Sequence, residues 1–179
     1  MADSELVKVA RKLPTVIVTS LSRAIDTCIE WKPLAVVSAL DPSQAKKTIK
    51  MADNHLILDF CDQEIGDYSH PPTPEHIKKF LKFTRSFEWD REDVIVIHCH
   101  AGLCRSPALA IGFTLDQMLR NGMTSTDAIP RAFFRVRTQR PQAWPNLRVM
   151  TLLDDALELN GELTAFTHKF RSENMGFAV

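Results

Sequence analysis

The stretch Val94-Ile95-Val96-Ile97-His98-Cys99-His100-Ala101-Gly102-Leu103-Cys104-Arg105-Ser106-Pro107-Ala108-Leu109 changes character twice. Four consecutive β-branched residues read as a buried strand, and Gly102 marks a tight turn. From Ser106 an Ala-, Leu- and Ile-rich run reads as a helix reaching about Arg120, where Asn121-Gly122 stops it. A strand, a short loop and a helix N-terminus in succession gather unpaired backbone N–H groups and the positive end of the helix dipole. Such a junction holds a tetrahedral oxyanion.

The same grammar extends outward. Val16-Ile17-Val18, Leu34-Ala35-Val36-Val37 and His55-Leu56-Ile57-Leu58 are further strand-length apolar runs bounded by Pro, Asp or Ser. Continuous apolar strands suit a sheet covered on both faces. Helical patterns lie between and after them: Ser22 to Trp31; a segment capped by Thr73 with Pro74 first, whose Ile77, Phe80, Leu81, Thr84 and Phe87 share one side; about Asp127 to Arg137; and Asn146 to Leu159, stopped at Asn160-Gly161. Alternation of strand and helix followed by a run of helices predicts an α/β fold, a central, mainly parallel sheet flanked by helices. A single domain spanning residues 1–179, with its core at about 14–160, is expected.

Composition narrows the function. The 179 residues carry 22 Lys plus Arg against 22 Asp plus Glu, a formal net charge of zero, so no global basic field points to nucleic acid. An anion bound here must be held by a local site. No apolar run is long enough for a secretory signal or a membrane span, which makes the cytoplasm the expected location. Cys28, Cys61, Cys99 and Cys104 are expected as reduced thiols, because a chain this long builds its own core.

The loop supplies the chemistry. Cys99 closes the strand where loop amides and helix dipole favour a thiolate, the nucleophilic form of cysteine. Arg105 opens the helix with a planar guanidinium that can grip two phosphate oxygens. Gly102 lets the backbone turn with positive φ, Ser106 can donate its hydroxyl to the sulfur, and His98 is expected to orient the loop and support its charge. A metal site built from His98, Cys99, His100 and Cys104 is the competing reading. It lacks a second ligand pair at usual spacing, and Arg105 in its middle repels a cation.

The run HCHAGLCRS resembles the signature of the cysteine-dependent protein tyrosine and dual-specificity phosphatases: His-Cys, five residues, then Arg and Ser or Thr. The resemblance covers about Leu34 to Leu159. It implies a phosphotyrosine-phosphatase-like fold and two-step hydrolysis of a phosphomonoester through phosphocysteine. In that reading Cys99 is the nucleophile, Ser106 the leaving-group helper, and His100, Ala101, Gly102, Leu103, Cys104 and Arg105 cradle the phosphate. No metal or organic cofactor is implied; the implied partner is a phosphorylated protein or peptide. The general acid belongs in the stretch Leu56-Ile57-Leu58-Asp59-Phe60-Cys61-Asp62-Gln63-Glu64-Ile65-Gly66-Asp67. Strand phase favours Asp62, separation from Cys99 favours Asp67, and Asp62 is preferred because phase fixes where a loop residue points. Asp59 and Glu64 read as solvated carboxylates.

Phe60-x-Asp62 and the later Pro145-Asn146 also resemble small bacterial tyrosine phosphatases. Asn146 is expected to hydrogen-bond the phosphate loop, to cap a helix, or both. Arg131, Arg135, Arg137 and Arg140 read as a solvated face or a surface for phosphoprotein. The phosphoinositide phosphatases of this superfamily commonly carry lysines inside the loop, and none stands here, which argues for a monophosphate ester; phosphotyrosine is the expected preference, with dual specificity open. Cys104 follows the spacing of low-molecular-weight tyrosine phosphatases, so a redox disulfide with Cys99 is one reading and loop packing the other; Cys61 is a second candidate partner. Two other functions compete: a phosphate-binding module without catalysis, and a rhodanese-type sulfurtransferase, which would not need Asp62.

Overall fold

The computed structural model describes residues 13–66 and 69–174. Within them β1 (Thr15–Ser20), α1 (Leu21–Trp31), β2 (Ala35–Leu40), α2 (Pro42–Ala45), β3 (His55–Asp59), α3 (Pro74–Thr84), β4 (Val94–Cys99), α4 (Arg105–Arg120), α5 (Ser125–Gln139), α6 (Leu147–Ala156) and α7 (Glu162–Glu173) follow one another. The four strands pair in parallel in the order β1-β4-β2-β3. The expected parallel α/β arrangement is therefore present.

Strand β4 lies between two partners, in a register that sets Cys99 beside Ser20 of β1 and Ala39 of β2. Pleat alternation divides its side chains between the two faces. Val96 joins Val36 and Cys28 under α1, while Ile95 and Ile97 join Ala35, Val37 and the larger core beneath α4. Helix α4 is buried from Arg105 to Met118, covered by α5 and α6 as well as the sheet. Gly112 permits that crowding: a Cβ there would stand 2.6 Å from Leu153 Cδ1 on α6. At the start of α3, Pro74 takes the first position and the Thr73 N–H donates to His76 Nδ1 at 3.1 Å, as a helix N-terminus requires.

Besides the short helix α2, which the sequence reading leaves unassigned, three features depart from it. Helix α6 stops at Ala156, and the glycine at Gly161, with φ 88°, opens a further helix, α7, that the sequence reading did not assign. Asp154 explains the junction: its carboxylate accepts from the N–H groups of Gly161 (2.8 Å) and Thr164 (2.6 Å), satisfying donors that the new helix leaves free. Leu163, Phe166 and Phe170 then dock α7 on the core, with both phenyl rings against Phe133. The arginine run is not a plain solvated face. Arg135, Gln139 and Arg140 donate to the carbonyls of Pro14, Val16 and Val18, closing the open edge of β1, and Arg137 lies over Phe170 at 5.3 Å. Lastly, Phe87 lies past the end of α3, where it packs edge-on against Phe83 and tilted against Trp89.

Candidate active site

The residues that directly follow β1, β2 and β3, namely Leu21, Asp41 and Phe60, bond to the segment that follows β4, from His100 to Arg105. Cys99 is 2% exposed, and its Sγ accepts from the Gly102 N–H at 3.2 Å and the Ser106 hydroxyl at 3.1 Å. Donors of this kind stabilise a thiolate. The loop carbonyls are held from outside: Leu21 N–H donates to His100 O (3.1 Å), Trp144 N–H to Leu103 O (2.8 Å) and Asn146 N–H to Cys104 O (3.1 Å). A trans peptide sets C=O and N–H on opposite sides. The amides of Ala101, Cys104 and Arg105 are thereby turned away from those outside donors, to the side an oxyanion would take. Gly102 has φ +74°, and a Cβ there would meet Arg140 Nη2 at 2.6 Å and Thr19 O at 2.8 Å, so the turn demands glycine on both counts.

Arg105 is buried, as its position at the start of α4 beneath two loops requires. Its Nη1 donates to Phe60 O at 2.7 Å and Asp41 Oδ1 at 3.0 Å. Its Nε has no hydrogen-bond partner among the described residues and stands 4.0 Å from Asp62 Oδ2. A guanidinium fixed along one edge and unengaged at Nε is prepared for a second, bidentate partner. Asp41, directly after β2, was missed by the sequence reading. The signal that could have found it is its place at a strand's carboxyl end, where open parallel sheets bind ligands.

Asp62 enters this cluster from the loop after β3. Its Oδ1 accepts from Asn146 Nδ2 at 2.7 Å, and its side chain is about one-third exposed. Asp67 falls outside the described residues. Asp59 is well exposed, 3.8 Å from His76 Nε2, but Glu64 is not a free solvated carboxylate: Arg171 and the Leu147 N–H both donate to it. Asn146 divides its two expected roles between side chain and backbone. Its side-chain oxygen caps α6 through the Val149 N–H (3.0 Å), its amide group reaches Asp62, and it is the backbone N–H that bonds the Cys99–Arg105 loop at Cys104 O.

His98 is fully buried, and burial first, then nearby His55, pushes it down to about 4. The hydrogen-bond pattern is consistent with a neutral ring. Met51 N–H donates to His55 Nδ1 (3.2 Å), which puts the His55 proton on Nε2, facing Ser38 Oγ at 2.7 Å; the Ser38 hydroxyl then donates to His98 Nε2 at 2.6 Å. A second proton on His98 would reverse that chain. His98, the residue expected to orient the loop, is thus held by Ser38 as a neutral ring. Cys104 is also held protonated: burial, followed by the Asp62 carboxylate to which its thiol is hydrogen-bonded, pushes it up to about 12. His100 and Ala101 are exposed, His100 with Nδ1 2.8 Å from Gln44 Nε2, and Leu103 is 36% exposed. Cys61 Sγ lies 3.7 Å from Ser69 Oγ. No group of three His, Cys, Asp or Glu among the described residues converges as a metal site, and no helix among them is long and apolar enough to cross a membrane.

The protein-tyrosine phosphatase family model matches residues 63–157, just over half of the 179. Among solved structures the chain is similar to the Yvh1 phosphatase domain from Chaetomium thermophilum, with 21% identity, a TM-score of 0.58 and coverage of 83% of this chain and 93% of that one. It is similar to human DUSP28 at 17% identity and TM-score 0.53, covering 83% and 96%. It is also similar to the human tyrosine phosphatase-like serine/threonine/tyrosine-interacting protein at 19% identity and TM-score 0.53, covering 83% and 94%. Curated protein sequences give no match.

Proposed function

Because the chain belongs to the protein-tyrosine phosphatase family, we propose that it hydrolyses phosphomonoesters on phosphoproteins, with phosphotyrosine the preferred ester, through a phosphocysteine intermediate. One observation carries the reading: Cys99 Sγ takes two hydrogen bonds at the N-terminus of α4, with the buried Arg105 guanidinium held in place beside it.

In the first step the Cys99 thiolate attacks phosphorus in line. Loop amides and Arg105 take the equatorial oxygens, where charge spreads in the transition state. The bond to the leaving oxygen breaks, and Asp62, protonated, gives that oxygen its proton. In the second step Asp62, now a carboxylate, removes a proton from water; the water oxygen attacks phosphorus and the thiolate departs, with the Ser106 hydroxyl donating to it. The contact of Asp62 with Asn146 and its proximity to Arg105 support this role. The absence of lysine between Cys99 and Arg105 favours a monophosphate over a polyphosphorylated lipid headgroup. A protonated Cys104 is the form that does not attack a sulfenic acid, so the structure weighs towards its packing role and away from a ready Cys99–Cys104 disulfide.

The test is hydrolysis of aryl phosphates and a phosphotyrosine peptide, with reductant and without metal, across pH 5 to 8. Cys99→Ser should abolish turnover. Asp62→Asn should lower turnover of the peptide by about 10²- to 10⁴-fold, with Asp67→Asn nearer wild type. Orthovanadate binding without hydrolysis would replace the enzyme by a binding module. Persulfide transfer would indicate a sulfurtransferase, and faster turnover of phosphoinositides would remove the phosphotyrosine preference.

A further inference from the structure

Two carboxylates separated by one residue, Asp62 and Glu64, land on two consecutive residues at the N-terminus of α6. Asn146 Nδ2 donates to Asp62 Oδ1, and the Leu147 N–H donates to Glu64 Oε1 at 2.9 Å. Glu64 is also gripped from α7: Arg171 Nη1 reaches Oε2 at 3.0 Å and Nη2 reaches Oε1 at 2.9 Å. These side chains are 30% and 16% exposed, well below the exposure of an ordinary surface pair. The same guanidinium stacks over the Trp144 ring at 4.7 Å, and the Trp144 N–H holds the Leu103 carbonyl of the phosphate loop. One side chain thus touches both halves of the site: the acid-bearing loop through a fork of two hydrogen bonds, and the phosphate loop through a stacked ring.

We propose that Arg171, paired with Glu64 and stacked on Trp144, is a positioning residue for the general acid, and that α7, which lies beyond the family match, is a working part of the phosphatase. The proposal rests on the reading of Asp62 as the acid. The fork defines where Glu64 sits, and Asp62 is only two residues away on the same loop. A bidentate pair fixes orientation as well as distance, and proton delivery to a leaving oxygen depends on both. The remaining anchors of the region do not pass through Arg171. Arg148 donates to Pro72 O and Gly66 O from α6, and α7 is docked by Leu163, Phe166, Phe170 and Asp154. Loss of the Arg171 side chain therefore loosens the acid without detaching the helix.

The test uses the full chain and a series of aryl phosphates graded by leaving-group basicity, because a nitrophenolate departs with little help while a phenolate or tyrosyl oxygen needs its proton. Arg171→Ala should lower kcat/KM for phenyl phosphate and a phosphotyrosine peptide by about ten- to a hundredfold, and for p-nitrophenyl phosphate by less than about threefold. Glu64→Gln, which keeps an acceptor for Leu147 but removes the charge, should move in the same direction. In an Asp62→Asn background Arg171→Ala should cost nothing further, since no acid remains to be positioned. Equal losses on every ester, or a loss that persists fully in the Asp62→Asn background, would overturn the proposal and make the pair purely structural. A leaving-group series that is flat in Asp62→Asn itself marks a different failure, that of the acid assignment. A series steep in Asp62→Asn but unchanged in Arg171→Ala removes the role of α7 alone.

Discussion

Ser38 and His98 exchange a hydrogen bond of 2.6 Å in the middle of the sheet, and its polarity makes the protein sensitive to acid. His98 titrates at about 4 in the folded chain, against about 6.5 for a histidine in an unfolded one. The unfolded state therefore binds more protons in that interval, and stability falls as pH falls through it. Denaturant titrations at pH 7 and pH 5 should differ by about 2 kcal/mol on account of this one residue. His55, also lowered by burial, acts in the same direction. A His98→Gln variant has nothing to titrate at this position and should lose correspondingly less over the same interval; an equal loss would overturn the assignment. Cys99, Arg105 and Ser106 are legible as candidates from strand-loop-helix order and from the HCHAGLCRS resemblance, because a loop of this kind is local: its donors, thiol and guanidinium lie within one turn and one strand end. The charge state of His98 was not legible, because it is set by Ser38, sixty residues away, and by His55 on a third strand.

Helix α6 shows how one N-terminus performs several tasks at once. Asn146 caps it through Val149 N–H, Leu147 N–H receives Glu64, and the Asn146 amide holds Asp62. Asn146→Ala removes both the cap and the acid's partner, at a cost of about 1 kcal/mol or more, with turnover of phosphotyrosine peptide falling as well. Asn146→Ser separates the two, since a serine caps comparably but is too short to reach Asp62: the thermal midpoint should stay near wild type while turnover still falls. Equal thermal losses in both variants would show that the cap is not what stabilises the helix. The strands and α3 to α6 could be read from apolar periodicity and from Pro, Asn and Gly punctuation. Helix α7 could not. Asn160-Gly161 is a stop signal, and what turns it into a start is the Asp154 carboxylate folding back from the preceding helix. Glu64 was misread for a similar reason, since its partner Arg171 lies 107 residues downstream.

Across the whole molecule a chain of zero formal net charge gathers, at the proposed anion site, backbone amides and a single buried guanidinium. Association with substrate should accordingly depend weakly on ionic strength at long range, and a steep fall of kcat/KM between 20 and 200 mM salt would point to a basic docking surface instead. Two of the four arginines considered for such a surface, Arg135 and Arg140, are occupied along the β1 edge. The central place of β4 has a different consequence. Cys99 ends a strand hydrogen-bonded on both sides and covered on both faces, so nothing short of parting the sheet frees that backbone. In deuterated water the amides of Val96 and Ile97 should be among the last to exchange, at rates that report the global opening. The acid-bearing loop, which contributes no strand, should exchange much sooner. Half of the chemistry would then be anchored to the most durable part of the molecule and half to a part that opens far more often, so a partly loosened chain would keep its grip on phosphate after losing its source of protons.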